Sequence, residues 1–424
     1  MKTKISIRII LGIGMTLLLY GDANAQQAST SLAGGNLWGY AFGDYTYVKR
    51  GDSAGRGNGN LEYKGLGAQS SPTQNQNAFE IRRAYLGYDY RINDAFSASA
   101  LLAYEGDADA NGNRTVYLKN AYFTWSNIFP KSDLIIGQQL TASSAAVEDL
   151  WGYRDIERTM MDLRKIDGTT DMGATLRGKI WEKKVDSGRT GTSIGYSFMV
   201  GNNSGNTPVP EFTNSGTTQN STTDKDKKFR FNLFLKAFND KLTVGAYTDY
   251  INYGGVTYKT KKLYQNATQT FRVYSAYNGR TFGVGVEGFI QNNINGELET
   301  FATSEKYPNP NNDTVTATQI GFSVFGHVTI IPNKLNVFAR YDGYNPDTKY
   351  KFNTTETFTS RLVAQNTYSE TFATAGLDWT PRPDKKVHFL PNIWYDGINN
   401  GYGSDNLKSD YYLVYRITFQ YTFK

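Results

Sequence analysis

Two histidines, His327 and His388, are the natural candidates for acid–base chemistry near neutral pH. A Ser–His pair of the kind used by hydrolases is therefore open to consideration. The chain contains no G-x-S-x-G, H-E-x-x-H or P-loop pattern. It also has no cysteine, which excludes disulfides, thiol catalysis and thiolate metal sites. We therefore expect no enzyme activity and no cofactor.

One short segment resembles the start of a calcium-binding loop. Asp107, Asp109 and Asn111 have the spacing of the first ligands of a D-x-D-x-N-G loop, and Gly112 follows them. The position that needs a bidentate glutamate is Leu118. An ordinary turn-rich loop tip explains these residues as well, so no metal site is predicted.

Most other charged residues alternate with apolar ones, which is the pattern of a β-strand with two different faces. The chain has 31 Tyr, 24 Phe, 42 Gly and only 11 Pro, a composition that favours an all-β protein. In the last segment, Tyr415, Ile417, Phe419 and their odd-numbered neighbours share one face, and Arg416 lies on the other. Alternation of this kind also occurs in soluble β-sandwiches, so it does not settle the fold alone.

Turn residues divide the chain after residue 35 into sixteen strand-like segments. Their predicted bounds are 36–48, 79–92, 96–105, 116–126, 132–139, 170–181, 192–202, 227–238, 241–254, 268–278, 280–293, 316–330, 334–347, 368–381, 386–399 and 410–424. Most of them reach the ~9–11 residues that a tilted strand needs to cross a membrane.

The links between these segments alternate in length. Short links include Asn93-Asp94, Asn239-Asp240 and Pro332-Asn333, and long ones include 49–78 and 203–226. Outer-membrane barrels have this asymmetry, with tight periplasmic turns and long external loops. The link 182–191 is the exception, because it should be short and has about ten residues.

The N-terminus has the layout of a secretory signal peptide. Lys2, Lys4 and Arg8 are followed by the apolar stretch 9–20 and by Ala23-Asn24-Ala25. The apolar stretch is short for a membrane helix, the alternative reading. We assign residues 1–25 to the signal peptide and 26–424 to one transmembrane antiparallel β-barrel. The net charge of +6 comes from dispersed basic residues, so no nucleic-acid partner is expected.

Alternation assigns many charged side chains to the interior, because a charge on the lipid face costs ~2–4 kcal/mol at the bilayer midplane. The basic ones are Arg83, Arg91, Lys119, Arg177, Lys179, Lys228, Arg230, Lys236, Arg272, Arg340 and Arg416. The acidic ones are Asp89, Glu105, Asp171, Asp249, Glu287, Asp342, Asp378 and Asp396. Each of these residues taken alone is best explained as part of an ion pair that holds the shape of the barrel wall. Their basic excess suggests a modest preference for anions.

Several segments resemble the phosphate-selective porin O and P family. They are FEIRRAYLGYDYRI at 79–92, FSASALLAY at 96–104, VYLKNAYFTW at 116–125 and LIIGQQLTASS at 134–144. The resemblance is clearest over 79–180 and at the C-terminus, and the long loops do not share it. It implies a sixteen-stranded, trimeric, anion-preferring porin. Phe423, one residue before the end, resembles the C-terminal assembly signal of outer-membrane proteins, although Lys424 departs from its most common form.

In porins the third external loop folds inward and narrows the channel, and the link 140–169 holds that place here. Ser143 or Ser144 could cap a helix that opens with Ala145. The charged residues expected at a constriction are Glu148, Asp149, Arg154, Asp155, Glu157, Arg158, Arg164 and Lys165. An external helical loop with a solvated face is the alternative.

These features together predict a passive outer-membrane channel for small anionic or neutral solutes. Outer-membrane lipid, the barrel-assembly machinery and two further copies of the chain are its expected partners. A phosphate- or polyphosphate-specific channel with a saturable site, an outer-membrane hydrolase, and a soluble β-sandwich or adhesin are the alternatives.

Overall fold

The predicted alternation produces one closed antiparallel sheet in the computed structural model. The structure describes residues 34–51, 74–105, 115–185, 190–203, 226–257, 263–299, 313–348, 361–362, 369–399 and 410–423. The signal peptide assigned to residues 1–25 lies outside these ranges. None of the helices among the described residues is long and apolar enough to cross a membrane.

The described residues form seventeen strands and two short helices. In chain order they are β1 (Gly34–Arg50), β2 (Asn77–Arg91), β3 (Phe96–Tyr104), β4 (Val116–Phe129), β5 (Ser132–Leu140), α1 (Ala142–Trp151), α2 (Met160–Leu163), β6 (Thr170–Lys184), β7 (Thr190–Gly201), β8 (Lys228–Ala237), β9 (Leu242–Thr257), β10 (Leu263–Asn278), β11 (Phe282–Glu299), β12 (Asp313–Ile331), β13 (Leu335–Asn345), β14 (Arg361–Leu362), β15 (Ser369–Trp379), β16 (Val387–Asn399) and β17 (Asp410–Phe423).

Sixteen of the strands close into a barrel. Each pairs antiparallel with its neighbours in the chain, and β1 pairs with both β2 and β17. The two-residue strand β14 pairs with β11 beside this ring, while β13 pairs directly with β15. Closure leaves no unpaired edge, which a membrane-spanning sheet requires. The predicted sixteen-stranded barrel is therefore confirmed.

Strands β9–β12 are longer in the structure than the segments predicted for them from the sequence. There the strands run to 16–19 residues, longer than a crossing needs, because they continue beyond the membrane on the long-link side. The long links predicted at 255–267 and 294–315 are correspondingly shorter. The exceptional link at 182–191 shrinks as well, because β6 ends at Lys184 and β7 begins at Thr190.

The two faces of the wall differ as the alternation requires. On β12, Phe322, Val324 and Val328 are exposed on the outside, whereas Ser323 and Phe325 face inward and are buried. On β8, Phe229 and Phe231 point outward, whereas Lys228 and Arg230 are buried inside. The outer face is thus a continuous apolar belt suited to lipid.

Phe423 lies at the seam that closes the barrel. It pairs in register with Gly39 of β1, and a side chain at Gly39 would meet the phenyl ring at 2.3 Å. The ring thus packs over the bare backbone of β1. We expect Phe423→Ala to lower the folded yield, because this contact between the last and first strands is lost. Heat-modifiable gel mobility after refolding measures the yield, and an unchanged folded fraction would count against a role for Phe423 in closure.

Candidate functional site

Residues 141–169, which connect β5 to β6, lie inside the barrel, and we call them the inner segment. They contain α1 and α2, and α1 packs against β7, β8 and β10. A buried apolar cluster joins them to the inward face of the wall; it comprises Val147, Trp151, Tyr153, Ile156, Tyr274, Phe325, Phe338 and Leu390. This apolar contact removes the helix face from water and thereby stabilises the inner segment against the wall.

Helix α1 begins earlier than predicted. Its first residue is Ala142 and its N-cap is Thr141, so neither Ser143 nor Ser144 is the cap. The Ser143 hydroxyl instead donates to Asp167, which draws it away from the helix backbone. The helix ends at Trp151, and Gly152 caps it with a φ of 73°, the left-handed conformation that favours glycine at this position.

Asp167 anchors the end of the inner segment to the wall. Its carboxylate accepts hydrogen bonds from Lys228 at 2.8 Å, from Arg230 at 2.9 Å and from the hydroxyl of Tyr247 at 2.9 Å. Burial would raise the pKa of Asp167, but the charges of Arg230 and Lys228 outweigh it and hold the pKa well below its usual range. The carboxylate therefore stays ionised and paired throughout the neutral range.

Three arginines of the wall hold backbone carbonyls of the inner segment. Arg416 donates to the carbonyl of Ile156 at 2.9 Å, Arg340 donates to that of Arg158, and Arg82 donates to that of Asp155. They come from β17, β13 and β2, which lie at different places around the barrel. A loop fixed from several strands at once keeps a single position in the interior.

Arg82 is not among the interior residues expected from alternation, and a β-bulge explains why it faces inward. The register of β1 and β2 shifts so that Arg82 and Arg83 together lie opposite Phe42. One extra residue on a strand turns both neighbours to the same side. Arg82 then pairs with Asp44, and both side chains are only 2% exposed.

The residues expected at the constriction divide by their exposure. Asp149 and Lys165 are exposed, and Glu148, Arg154 and Arg158 are partly exposed. Asp155, Glu157 and Arg164 are buried, and Arg164 pairs with Glu370 of β15 at 2.6 Å. The Arg154 guanidinium lies 3.4 Å from the Glu148 carboxylate and 3.7 Å from that of Asp162, and the three residues form one ion-pair group.

The basic residues expected in the interior divide in the same way. Arg230, Arg340, Arg416 and Lys119 are buried, Arg83 and Lys236 are partly exposed, and Arg91, Arg177 and Lys179 are exposed. Arg83 and Lys119 both bind Glu105, and Arg91 pairs with Asp94 at the rim. Lys179 pairs with Glu182 at 3.0 Å. Arg177 and Lys236 form no ion pair with any other described residue.

Two cavities open on either side of the end of α1, and both include Asp149 and Leu150 in their lining. One, of about 700 Å³, is bounded by β4–β9 and contains Arg177 and Lys236. The other, of about 710 Å³, is bounded by turns between β10 and β16 and contains His327 and His388. The interior thus keeps open space beside the inner segment, near the short turns that connect the strands.

The histidines do not have the geometry of a hydrolase. Nδ1 of His388 lies 2.7 Å from Asp378 and 3.5 Å from the hydroxyl of Thr380, and Nε2 lies 3.1 Å from the carbonyl of Lys385. A Ser–His–Asp system needs the nucleophile and the carboxylate on opposite ring nitrogens. His327 packs edge-on against Tyr153. Both histidines fit a role in holding the wall and its turns.

Asp155 is a buried carboxyl group of the inner segment whose pKa is raised. Burial raises its pKa to about 6, against the opposing charge of Arg82 and with a further rise from Asp378. Below about pH 4 the carboxyl is neutral in both the folded and the unfolded protein, and the stability that comes from this raised pKa is fully present. As the pH rises through about 6 the buried group ionises, and this contribution to the free energy of unfolding is lost.

We expect Asp155→Asn to remove this pH dependence. Between pH 4 and pH 7 the wild type should lose on the order of 3 kcal/mol of unfolding free energy through this group, and the variant should not. Urea unfolding in detergent micelles, followed by gel mobility at several pH values, measures the difference. Parallel pH profiles for the two proteins would contradict the assignment.

No metal site emerges among the described residues, where no group of three or more potential ligands comes together. The calcium candidate formed by Asp107, Asp109 and Asn111 lies outside the part of the chain that the structure describes.

The fold is similar to solved structures of outer-membrane proteins. The outer membrane channel DcaP of Acinetobacter baumannii aligns with 93% of this chain and 99% of its own, with a TM-score of 0.57 and 13% identity. The anion-selective porin from Comamonas acidovorans aligns with 92% of this chain and 100% of its own, with a TM-score of 0.53 and 9% identity. OmpT of Vibrio cholerae aligns with 93% of this chain and 99% of its own, with a TM-score of 0.50 and 12% identity.

No protein-family model and no curated protein matches the sequence. At these identities the structural similarity shows the fold alone, which is that of Gram-negative outer-membrane porins. The finer resemblance to the phosphate-selective porin O and P family is not confirmed.

Proposed function

We propose that this chain is a porin, a passive channel for small hydrophilic solutes across the outer membrane, with a modest preference for anions. The observation that carries the proposal is the closed sixteen-stranded barrel whose interior holds the inner segment and two cavities of about 700 and 710 Å³. A barrel of this size has room for an aqueous channel, whereas eight strands would be filled by side chains. The inner segment then sets the size limit.

The anion preference rests on the charges that stay unpaired. Lys228, Arg230, Arg340 and other buried cations already bind carboxylates of the protein. Arg177 and Lys236 line the cavity at β4–β9 without an ion-pair partner among the described residues, and Asp133, Asp149 and Asp240 line it too, so the proposed preference for anions is modest. Unpaired cations at the wall favour anions in the pore. These two residues, rather than the buried pairs, would therefore bias permeation.

A passive channel fits the interior better than a saturable phosphate channel. Tight phosphate binding requires several cations that converge on an empty position. Arg83 and Lys119 converge, but on Glu105, and Lys228 and Arg230 converge on Asp167. The protein's own carboxylates occupy both positions, so phosphate preference is the weaker of the two candidates.

The same proposal includes the route to the membrane and the assembled state. Residues 1–25 would direct export, and the barrel-assembly machinery would insert the chain with Phe423 as part of its end signal. A homotrimer surrounded by outer-membrane lipid is the proposed final state. The apolar outer belt and the seam at Gly39 and Phe423 support insertion as a closed barrel.

Planar-bilayer recording under a KCl gradient tests the channel and its selectivity together. We expect a steady conductance with chloride favoured over potassium in the wild type. Arg177→Gln combined with Lys236→Gln should move the reversal potential to a neutral or cation-preferring value, because the two unpaired interior cations are gone.

Arg382→Gln with Lys386→Gln is the matched control, since both residues are exposed in the β15–β16 turn and the change in charge is the same. An equal shift in the control would show that general surface charge sets the selectivity. No conductance from folded wild-type protein would reject the channel itself.

A further inference from the structure

The cavity between α1 and the β4–β9 wall has two chemically different sides. It measures about 700 Å³, within the ~300–1,000 Å³ typical of pockets that hold small organic molecules. Its wall side carries charge, and its helix side is apolar. Hydrated ions alone gain nothing from an apolar side, so this lining suits a solute that has both a charged part and an apolar part.

The charged side consists of Arg177 on β6 and Lys236 on β8. In the register of the sheet Arg177 lies opposite Ser197 of β7, and Lys236 lies opposite Ser193 of the same strand. Ser193 and Ser197 are four positions apart on β7, so the two cations project from the same inward face but about 13 Å apart along the strand. Lys131 and Lys179 also reach this cavity, but both pair with Glu182, at 2.9 and 3.0 Å.

The apolar side combines an aromatic ring with a helix flank. The ring of Phe234 lies over Gly195 of β7, where any side chain would meet it at 2.4 Å, so the glycine lets the ring lie flat on the wall. Lys236 is 6.0 Å from the centre of this ring. Across the cavity α1 presents Ala145, Ala146 and Leu150, which have no polar group to offer a solute.

Carboxylates also line the cavity and restrict what can stay there. Asp133, Asp149 and Asp240 are lining residues in addition to the lysine-paired Glu182, and Asp133 is in register with Arg177. A compact anion with more than one charge, such as phosphate, gains nothing from the apolar side and is repelled by these carboxylates more strongly than a monoanion is. A single negative charge on an apolar body can meet Arg177 or Lys236 and place the rest of the molecule against Phe234 and α1.

We propose that this cavity is a subsite for organic monoanions that carry a carboxylate on a compact apolar body. Arg177 offers a planar donor pair that matches a carboxylate, and Lys236 adds a second positive charge. Phe234 and the flank of α1 remove the apolar body from water. The proposal rests on the proposed channel function, because the solute reaches the cavity through the pore.

Benzoate is the probe that combines both features, with acetate and benzylamine as its matched partners. Acetate keeps the carboxylate without the ring, and benzylamine keeps the ring with the opposite charge. In single-channel recordings we expect benzoate to interrupt the current at concentrations at least tenfold lower than either partner or inorganic phosphate. Equal interruption by acetate or phosphate would remove any role for the apolar side, and stronger interruption by benzylamine would reverse the assigned charge.

Two variants separate the two sides of the cavity. Phe234→Leu should weaken the benzoate effect and leave that of acetate unchanged, whereas Arg177→Gln should weaken both. Arg382→Gln, in the exposed β15–β16 turn, is the control that should change neither. A benzoate effect that survives both cavity variants would place its site elsewhere and overturn the proposal.

Calorimetric titration of benzoate into the detergent-solubilised protein separates this proposal from the channel itself. If the protein does not conduct but binds benzoate in an Arg177-dependent manner, the channel proposal fails and the subsite stands. If it conducts and binds no benzoate, the subsite fails and the channel stands.

Discussion

Replacing Asp167 by asparagine is expected to lower the free energy of unfolding by about 3 kcal/mol and to make the pore current noisier. The carboxylate is buried between Lys228 and Arg230, and its loss leaves two cations with fewer partners. Arg230 keeps Asp171 at 2.7 Å, and Lys228 keeps Asp249 at 3.4 Å, which limits the effect. The inner segment loses its anchor beside β6 and should fluctuate in the lumen.

Urea unfolding in micelles and the variance of single-channel current measure the two parts of this result. Ser143→Ala is the matched control, because it removes a hydrogen bond from an uncharged donor to the same carboxylate, together with a contact to the Thr141 hydroxyl, and should cost about 1.5 kcal/mol. If Asp167→Asn destabilises no more than the control, the charges around Asp167 do not hold the inner segment.

The pH profile offers a second check on the same anchor. The lowered pKa of Asp167 means that its contribution is present above about pH 4, the unfolded value, and is lost as pH falls towards the lower folded value. The wild type should therefore become less stable in stronger acid, and Asp167→Asn should lack this part of the loss. The sign is opposite to that expected for Asp155.

Replacing residues 142–168 by a four-residue glycine-rich turn is expected to raise the single-channel conductance at least about twofold, because sixteen strands enclose more space than the inner segment leaves open. The backbone N–H of Thr141 donates to the carbonyl of Thr169 at 2.9 Å, so the ends of the segment are already adjacent and a short turn can join them. The hydrogen-bonded wall does not depend on the segment for its closure.

Folding of this variant needs its own measurement, because removal of the segment exposes Tyr274, Phe325, Phe338 and Leu390 to the lumen. Heat-modifiable gel mobility reports whether the barrel has closed. A folded variant with wild-type conductance would show that the inner segment does not form the narrowest part of the channel, and the size limit would then have to be set elsewhere along the pore.

The sequence by itself determined the barrel and the side of the wall on which most residues lie. Strand alternation has a period of two, so the faces of Arg230 and Phe231, or of Arg416 and Ile417, can be assigned from neighbouring residues alone. Strand number and the alternation of short and long links are also local properties, and the closed sixteen-stranded sheet agrees with them.

The tertiary structure decided which interior charges are available to a solute. Arg416 binds the carbonyl of Ile156, 260 positions away, and Arg230 binds Asp167 across 63 positions, and no local pattern encodes such contacts. Arg82 faces inward only because one extra residue enters the β1–β2 pairing. Arg230 and Arg177 look alike in the sequence, yet one is covered by the inner segment and the other faces a cavity. The physical reason is that strand direction is set by adjacent residues, whereas charge pairing depends on which distant segments meet inside the barrel.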